Sequence, residues 1–140
     1  MISLYALLLT LLNCAAPQTL NVEVLVPATG GAIYLAAYDT PEAFDEKEEV
    51  SRIIRPATAA SQRAELSLEV PAAGEYVIAA FQDLNGNGKL DTNLFGVPTE
   101  PYGFAKTPPT KWRAPSFEEI ATQVAEGDQL KIELKSWDQY

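Results

Sequence analysis

The segment Asp83-Leu84-Asn85-Gly86-Asn87-Gly88-Lys89-Leu90-Asp91 sets side-chain oxygens at alternate positions, with a glycine where the chain must bend sharply. A loop of that kind can wrap a hard cation in oxygen ligands. By the EF-hand scheme, Asp83, Asn85 and Asn87 offer side-chain oxygens, Lys89 its backbone carbonyl, and Asp91 a carboxylate directly or through water. The scheme then breaks off, because Leu94 stands where an EF-hand has its bidentate glutamate and the residues before Asp83 read as a strand, not a helix. A missing ligand would come from Asn93, from Glu100 or from elsewhere in the fold; Glu100 is preferred because it restores a third carboxylate. The oxygen set suits calcium in a structural role, at the ~10⁻⁴ to 10⁻³ M affinity of extracellular calcium modules. The plainer alternative makes Asn85-Gly86 and Asn87-Gly88 left-handed turn signals that need no metal. Turn chemistry, however, does not require Asp83, Asn87 and Asp91 at ligand spacing.

A second set of residues is aromatic. Tyr102, Phe104, Trp112 and Phe117 fall in the stretch from Asp83 to Phe117, which is longer than a turn between strands requires, and long loops in compact domains tend to carry function or remain disordered. Such rings could form a surface for sugar or peptide, or fold back over the open end of the fold beneath the proline-rich segment. Catalysis is not expected. The chain has no histidine, so Ser–His and Cys–His pairs cannot form and the commonest zinc ligand is absent. Asp83, Asp91 and Glu100 could act as glycosidase acids, but a shared cation explains them more economically.

The elements that would position these groups are strands. Thr19 to Val26 alternates, with Val22, Val24 and Val26 on one face, and Thr29-Gly30-Gly31 turns the chain into a more fully buried strand from Ala32 to Tyr38. Thr40-Pro41-Glu42 supplies an N-cap hydroxyl, a proline at the first helical position and an acid in the first turn, predicting a short helix near Pro41 to Glu48. Its acids, from Asp39 to Glu49, read as a solvated helix face. Ala64 to Val70, Glu75 to Phe81 and Gln129 to Lys135 complete the clear strands, with weaker ones near Val50 to Arg55 and Ala121 to Val124. The expected fold is therefore all-β, an immunoglobulin-like or prealbumin-like sandwich of about seven strands with one short helix and a long loop.

The 140 residues suit one domain. A net charge of -9 and the lack of a Lys/Arg cluster argue against nucleic acid as a partner. Met1 to Ala16 carries no charged side chain and includes the apolar run Leu4 to Leu12, the pattern of a secretory signal over residues 1–16. The run is too short to span a bilayer, and no later segment is longer, so the expectation is an exported protein, periplasmic or at the cell surface or secreted, without a transmembrane span. Cys14 is the only cysteine. Leu11-Leu12-Asn13-Cys14 looks like a lipoprotein signal box, which would make Cys14 a lipid anchor; otherwise Cys14 leaves with the signal.

The run Gly74-Glu75-Tyr76-Val77-Ile78-Ala79-Ala80-Phe81-Gln82-Asp83-Leu84-Asn85-Gly86-Asn87-Gly88-Lys89-Leu90-Asp91-Thr92-Asn93 continues into Gly96-Val97-Pro98-Thr99-Glu100-Pro101-Tyr102-Gly103-Phe104. With Tyr38 to Phe44 upstream and Ala114 to Glu119 downstream, it resembles the DUF2141 family of exported bacterial proteins, over a domain of residues 19–135. The resemblance implies a β-sandwich of the immunoglobulin or prealbumin type and no assigned activity. Lys106 to Trp112 departs from it, replacing the polar Ser-Asn and basic stretch expected after Gly-Phe. The expected role is a non-catalytic exported sandwich with a calcium-ordered loop, or alternatively a carbohydrate- or protein-binding module using the aromatic loop 102–117.

Overall fold

A computed structural model describes residues 15–58 and 62–140. Residues 1–14, which hold the apolar run and Cys14, lie outside the described residues.

The period-2 patterns become strands wherever one set of alternate side chains can be buried. The strands are β1 (Gln18–Leu25), β2 (Ala32–Tyr38), β3 (Ser51–Pro56), β4 (Arg63–Val70), β5 (Gly74–Asp83), β6 (Tyr102–Phe104), β7 (Thr122–Val124) and β8 (Gln129–Glu133). One sheet has the order β4-β1-β8 and the other β3-β2-β5-β6, with β7 pairing to the start of β5. All pairings are antiparallel except β1 with β8. The protein is thus mostly β, built from two sheets.

Both sheets bury one face in a shared core. Leu20, Val22 and Val24 of β1, Leu66, Leu68 and Val70 of β4, and Ile132 of β8 meet Ile33, Leu35 and Ala37 of β2 and Tyr76, Ile78 and Ala80 of β5. Each fully buried Leu, Ile or Val contributes about 1.5–3 kcal/mol, so this alternation is the main driving force of the fold. The second face of β5 is covered as well, because Val77 packs with Phe117, Ile120 and Ala121. That explains why β5 reads as an almost continuous apolar run.

Among the described residues two α-helices lie outside the sheets. Helix α1 (Pro41–Glu46) is capped by Thr40, whose hydroxyl accepts the Ala43 N–H at 3.1 Å, and it ends at Lys47 in the left-handed region. Helix α2 (Phe117–Ile120) was not part of the sequence expectation, although its signal is readable: the Glu119 carboxylate accepts the Ser116 N–H at 2.9 Å, the return bond of a Ser-x-x-Glu capping box. The long segment after Asp83 also contains the short strand β6, so it is less irregular than its sequence suggests.

The sheets meet edge to edge where Tyr102 and Lys135 exchange two backbone hydrogen bonds at 3.0 Å. Gly103 permits this approach, since a Cβ there would lie 2.7 Å from the Glu133 carbonyl oxygen.

Candidate functional site

The strands define two ends of the molecule. At one end lie the start of β1, the start of β5 and helix α1; at the other lie the 27–31 turn, the end of β3 and the excursion 84–100, which leaves from Asp83 and returns at Pro101. The root of that excursion is closed by the Gln82 N–H donating to the Pro101 carbonyl at 2.9 Å. Beside it, Gln82 Nε2 donates to the carbonyls of Ala28 and Gly30, both at 2.8 Å, which fixes the 27–31 turn against the loop.

Two buried carboxylates organise the loop from within. Asp83, 1% exposed, accepts the Gly86 N–H with Oδ1 and the Gly88 N–H with Oδ2, each at 2.8 Å. Glu100, 5% exposed, accepts the Leu84 N–H with Oε1 at 2.9 Å and the Asp91 N–H with Oε2 at 3.1 Å. Backbone N–H dipoles aimed at a carboxylate compensate its loss of water, so these acids hold the peptide frame in place. Glu100 therefore acts as a brace inside the loop.

The outer part of the loop brings three side chains to one point. Asp91 accepts the Asn85 amide at 2.6 Å and the Asn87 amide at 2.7 and 2.9 Å. Asn85 Oδ1 also accepts the Asn87 N–H at 3.2 Å, and Asn87 Oδ1 accepts the Lys89 N–H at 3.1 Å, two successive Asx turns. Turning the Asn85 and Asn87 amides half a rotation about the last side-chain bond would aim oxygens at this point beside Asp91, with loss of the two Asx-turn bonds that their Oδ1 atoms accept. Asp83 retains a second lone pair on each oxygen. Among the described residues, however, no group of three His, Cys, Asp or Glu side chains is arranged to hold a metal ion. The convergent set contains one carboxylate and two amides.

The four aromatic residues singled out in sequence occupy three settings. Phe117 is 7% exposed and packs into the second core cluster, with partly buried Phe104 against it. Tyr102 is half-buried, lies edge-to-face with Phe104 at 6.2 Å and stacks on Tyr140 at 4.9 Å. Trp112 is 78% exposed and meets Trp137 edge-to-face at 5.4 Å, with the Lys111 ammonium 4.5 Å from the Trp137 ring. These rings do not form one continuous surface.

A different aromatic face does exist. In register across the outer side of the five-stranded sheet stand Ile54, Tyr34, Phe81 and Tyr102, and Tyr34 and Phe81 stack at 4.9 Å. Tyr140 extends the row by donating its hydroxyl to the Tyr102 carbonyl at 2.7 Å. The row abuts the loop: a Cβ on Gly88 would lie 3.6 Å from the Tyr34 hydroxyl. Sequence reasoning missed Tyr34 and Phe81 because both lie in strands with apolar residues on each face. Their large rings at alternate positions to the core residues were the available signal.

The sequence profile of a family described as an uncharacterized protein conserved in bacteria matches residues 22–133. The chain belongs to the DUF2141 family. No curated protein and no solved structure matches it. The DUF2141 match takes in the whole loop and the row from Tyr34 to Tyr102, and stops before Trp137 and Tyr140. Among the described residues no helix is long and apolar enough to cross a membrane.

Proposed function

We propose that this DUF2141 chain is a non-catalytic, exported sandwich of the immunoglobulin-like or prealbumin-like kind whose loop 83–100 is ordered by structural calcium. The observation that carries the proposal is the convergence of Asn85, Asn87 and Asp91 within 2.6–2.9 Å, on a frame already fixed by Asp83 and Glu100. Calcium would be held by the Asn85, Asn87 and Asp91 oxygens with Asp83 behind them. Glu100, also a candidate from spacing, holds the Leu84 and Asp91 N–H groups, and the Lys89 backbone carbonyl stays among the proposed ligands. The absence of histidine supports the non-catalytic role, and the apolar run before Cys14 supports export, either with the signal removed or with Cys14 carrying a lipid.

Thermal melts of the full chain in EGTA, millimolar calcium and millimolar magnesium test the metal. At ten times its Kd, calcium stabilises by about 1.4 kcal/mol, a rise of several degrees that magnesium does not reproduce and Asp91→Ala abolishes. An unchanged midpoint in calcium removes the metal from the proposal.

A second reading is favoured by the aromatic row. Stacked, half-exposed rings beside a polar loop suit a sugar, whose C–H face lies on the rings while its hydroxyls reach the loop. A protein partner would use the same rings as anchors. Calorimetric titration with oligosaccharides, repeated on Tyr34→Ala, separates this reading from a purely structural loop.

A further inference from the structure

Asn85-Gly86 and Asn87-Gly88 each set an amide side chain before a glycine, and the calcium reading uses only the amide. The glycine makes a reaction available. When its nitrogen loses the N–H proton and attacks the Asn side-chain carbonyl carbon, a C–N bond forms, the bond to the side-chain nitrogen breaks, and ammonia leaves with that proton. Water then opens the five-membered imide at either carbonyl, giving aspartate or isoaspartate. No oxidant, reductant or cofactor enters. Glycine lacks the Cβ that would crowd the closing ring, and Asn85, Gly86, Asn87 and Gly88 are all exposed to water.

The fold opposes this reaction at each reacting atom. The Gly86 N–H donates to Asp83 Oδ1 and the Gly88 N–H to Asp83 Oδ2, both at 2.8 Å. The electron pair left when an N–H proton departs lies along the former bond, and here that direction points at Asp83 and not at the Asn carbonyl carbon. An anionic nitrogen would also face a carboxylate, which like-charge repulsion disfavours. The leaving groups are held as well, since the side-chain nitrogens of Asn85 and Asn87 donate to Asp91 at 2.6–2.9 Å. Asp83 is the last residue of β5 and 1% exposed, so the sheet and not the loop fixes its position. One buried carboxylate thus restrains both attacking nitrogens.

We propose that Asn85 and Asn87 form a paired deamidation site that Asp83 keeps closed in the folded protein. Release of either glycine N–H from Asp83 opens it. Conversion of Asn85 or Asn87 replaces a donor to Asp91 with a second carboxylate, so an attractive contact becomes a like-charge one and the outer loop does not reclose as before. The site rests on the loop's own hydrogen bonds and does not depend on calcium.

The test ages the full chain in EGTA at mildly alkaline pH and follows amide-to-acid conversion by mass-spectrometric peptide mapping. Asn21 and Asn93, followed by Val22 and Leu94, serve as slow internal references. Conversion at Asn85 and Asn87 is expected to run at least roughly tenfold slower in the folded chain than in guanidinium chloride, because it must wait for the loop to open. Asp83→Asn leaves one acceptor oxygen for the two glycine donors and should speed conversion in native buffer several-fold. Glu100→Gln loosens the root of the loop without touching either glycine and should speed it far less. Amide exchange at Gly86 and Gly88 should be slowed in the unsubstituted chain, a readout that stands even where Asp83→Asn fails to fold. Equal rates in the folded and unfolded chain, unprotected glycine amides, or equal acceleration by the two variants would overturn the proposal. So would asparagines that stay intact in guanidinium chloride.

Discussion

Glu100 accepts the backbone N–H of Asp91 at 3.1 Å and so ties the outer arm of the loop to the root from which it left. The same carboxylate holds Leu84 at 2.9 Å. Glu100→Gln keeps the size but leaves one acceptor oxygen for two donors, so one buried N–H loses its partner at a cost of about 1–3 kcal/mol. Urea unfolding measures the loss, and amide exchange at Leu84 or Asp91 should accelerate more than exchange in β1.

Gly31 stands where the 27–31 turn meets the loop. Its φ is +68°, and a Cβ would lie 2.1 Å from the Asp83 carbonyl oxygen, a backbone atom that cannot turn aside. Gly31→Ala should destabilise by at least about 2 kcal/mol through strain and collision together. Gly30→Ala next to it meets nothing within 4 Å and should cost less by the same assay.

Tyr140 closes the carboxyl end over the aromatic row. Tyr140→Phe removes only the hydroxyl bond to Tyr102, worth about 0.5–1.5 kcal/mol; Tyr140→Ala also removes the stack and should lose a further 0.5–1.5 kcal/mol, roughly. Burial, then the neighbouring Tyr102 and Glu133, hold the Tyr140 hydroxyl above the ordinary value of 10.0. Because folding favours the neutral phenol, its contribution is complete below pH 10 and fades as pH rises further. Alkaline denaturation of Tyr140→Phe should lack this component.

The Arg113 guanidinium hydrogen-bonds Glu119 at 2.5 and 2.7 Å and, with the Ser116 N–H, holds that carboxyl down at about 2. A lowered acid contributes stability above its unfolded value of 4.5 and loses it as pH falls toward about 2. Arg113→Ala should bring the Glu119 titration back toward 4.5 in a carboxyl-detected NMR experiment. The pair is exposed, so the unfolding midpoint near neutral pH should hardly move.

Much of this fold was legible because burial on one side of a strand writes a period of two. Leu66, Leu68 and Val70 alternate in sequence and all three are buried. The Thr40-Pro41 start of α1 was legible for a similar reason, since its capping hydroxyl and fixed φ act within four residues. Long-range partners left weaker traces. Nothing local reveals that Tyr102 would pair with Phe81 and Lys135, which is why β6 looked like loop. Spacing likewise singled out Asp83, Asn85, Asn87, Asp91 and Glu100 but could not distinguish acids that serve backbone N–H groups from those facing outward. That division depends on which oxygens the fold buries. The Tyr34 and Phe81 rings were hidden by the same ambiguity, because an apolar residue on the outer face of a strand looks in sequence like another core residue.

The most direct test of the calcium account follows the side-chain amide resonances of Asn85 and Asn87 in nitrogen-15-labelled full chain during calcium titration. The account predicts that both resonances move together and saturate in the ~10⁻⁴ to 10⁻³ M range, that equal magnesium leaves them in place, and that Asp91→Ala removes the response. Resonances that stay fixed through 10 mM calcium, roughly ten times the weakest affinity expected, would contradict it and leave the loop as a turn held by its own carboxylates.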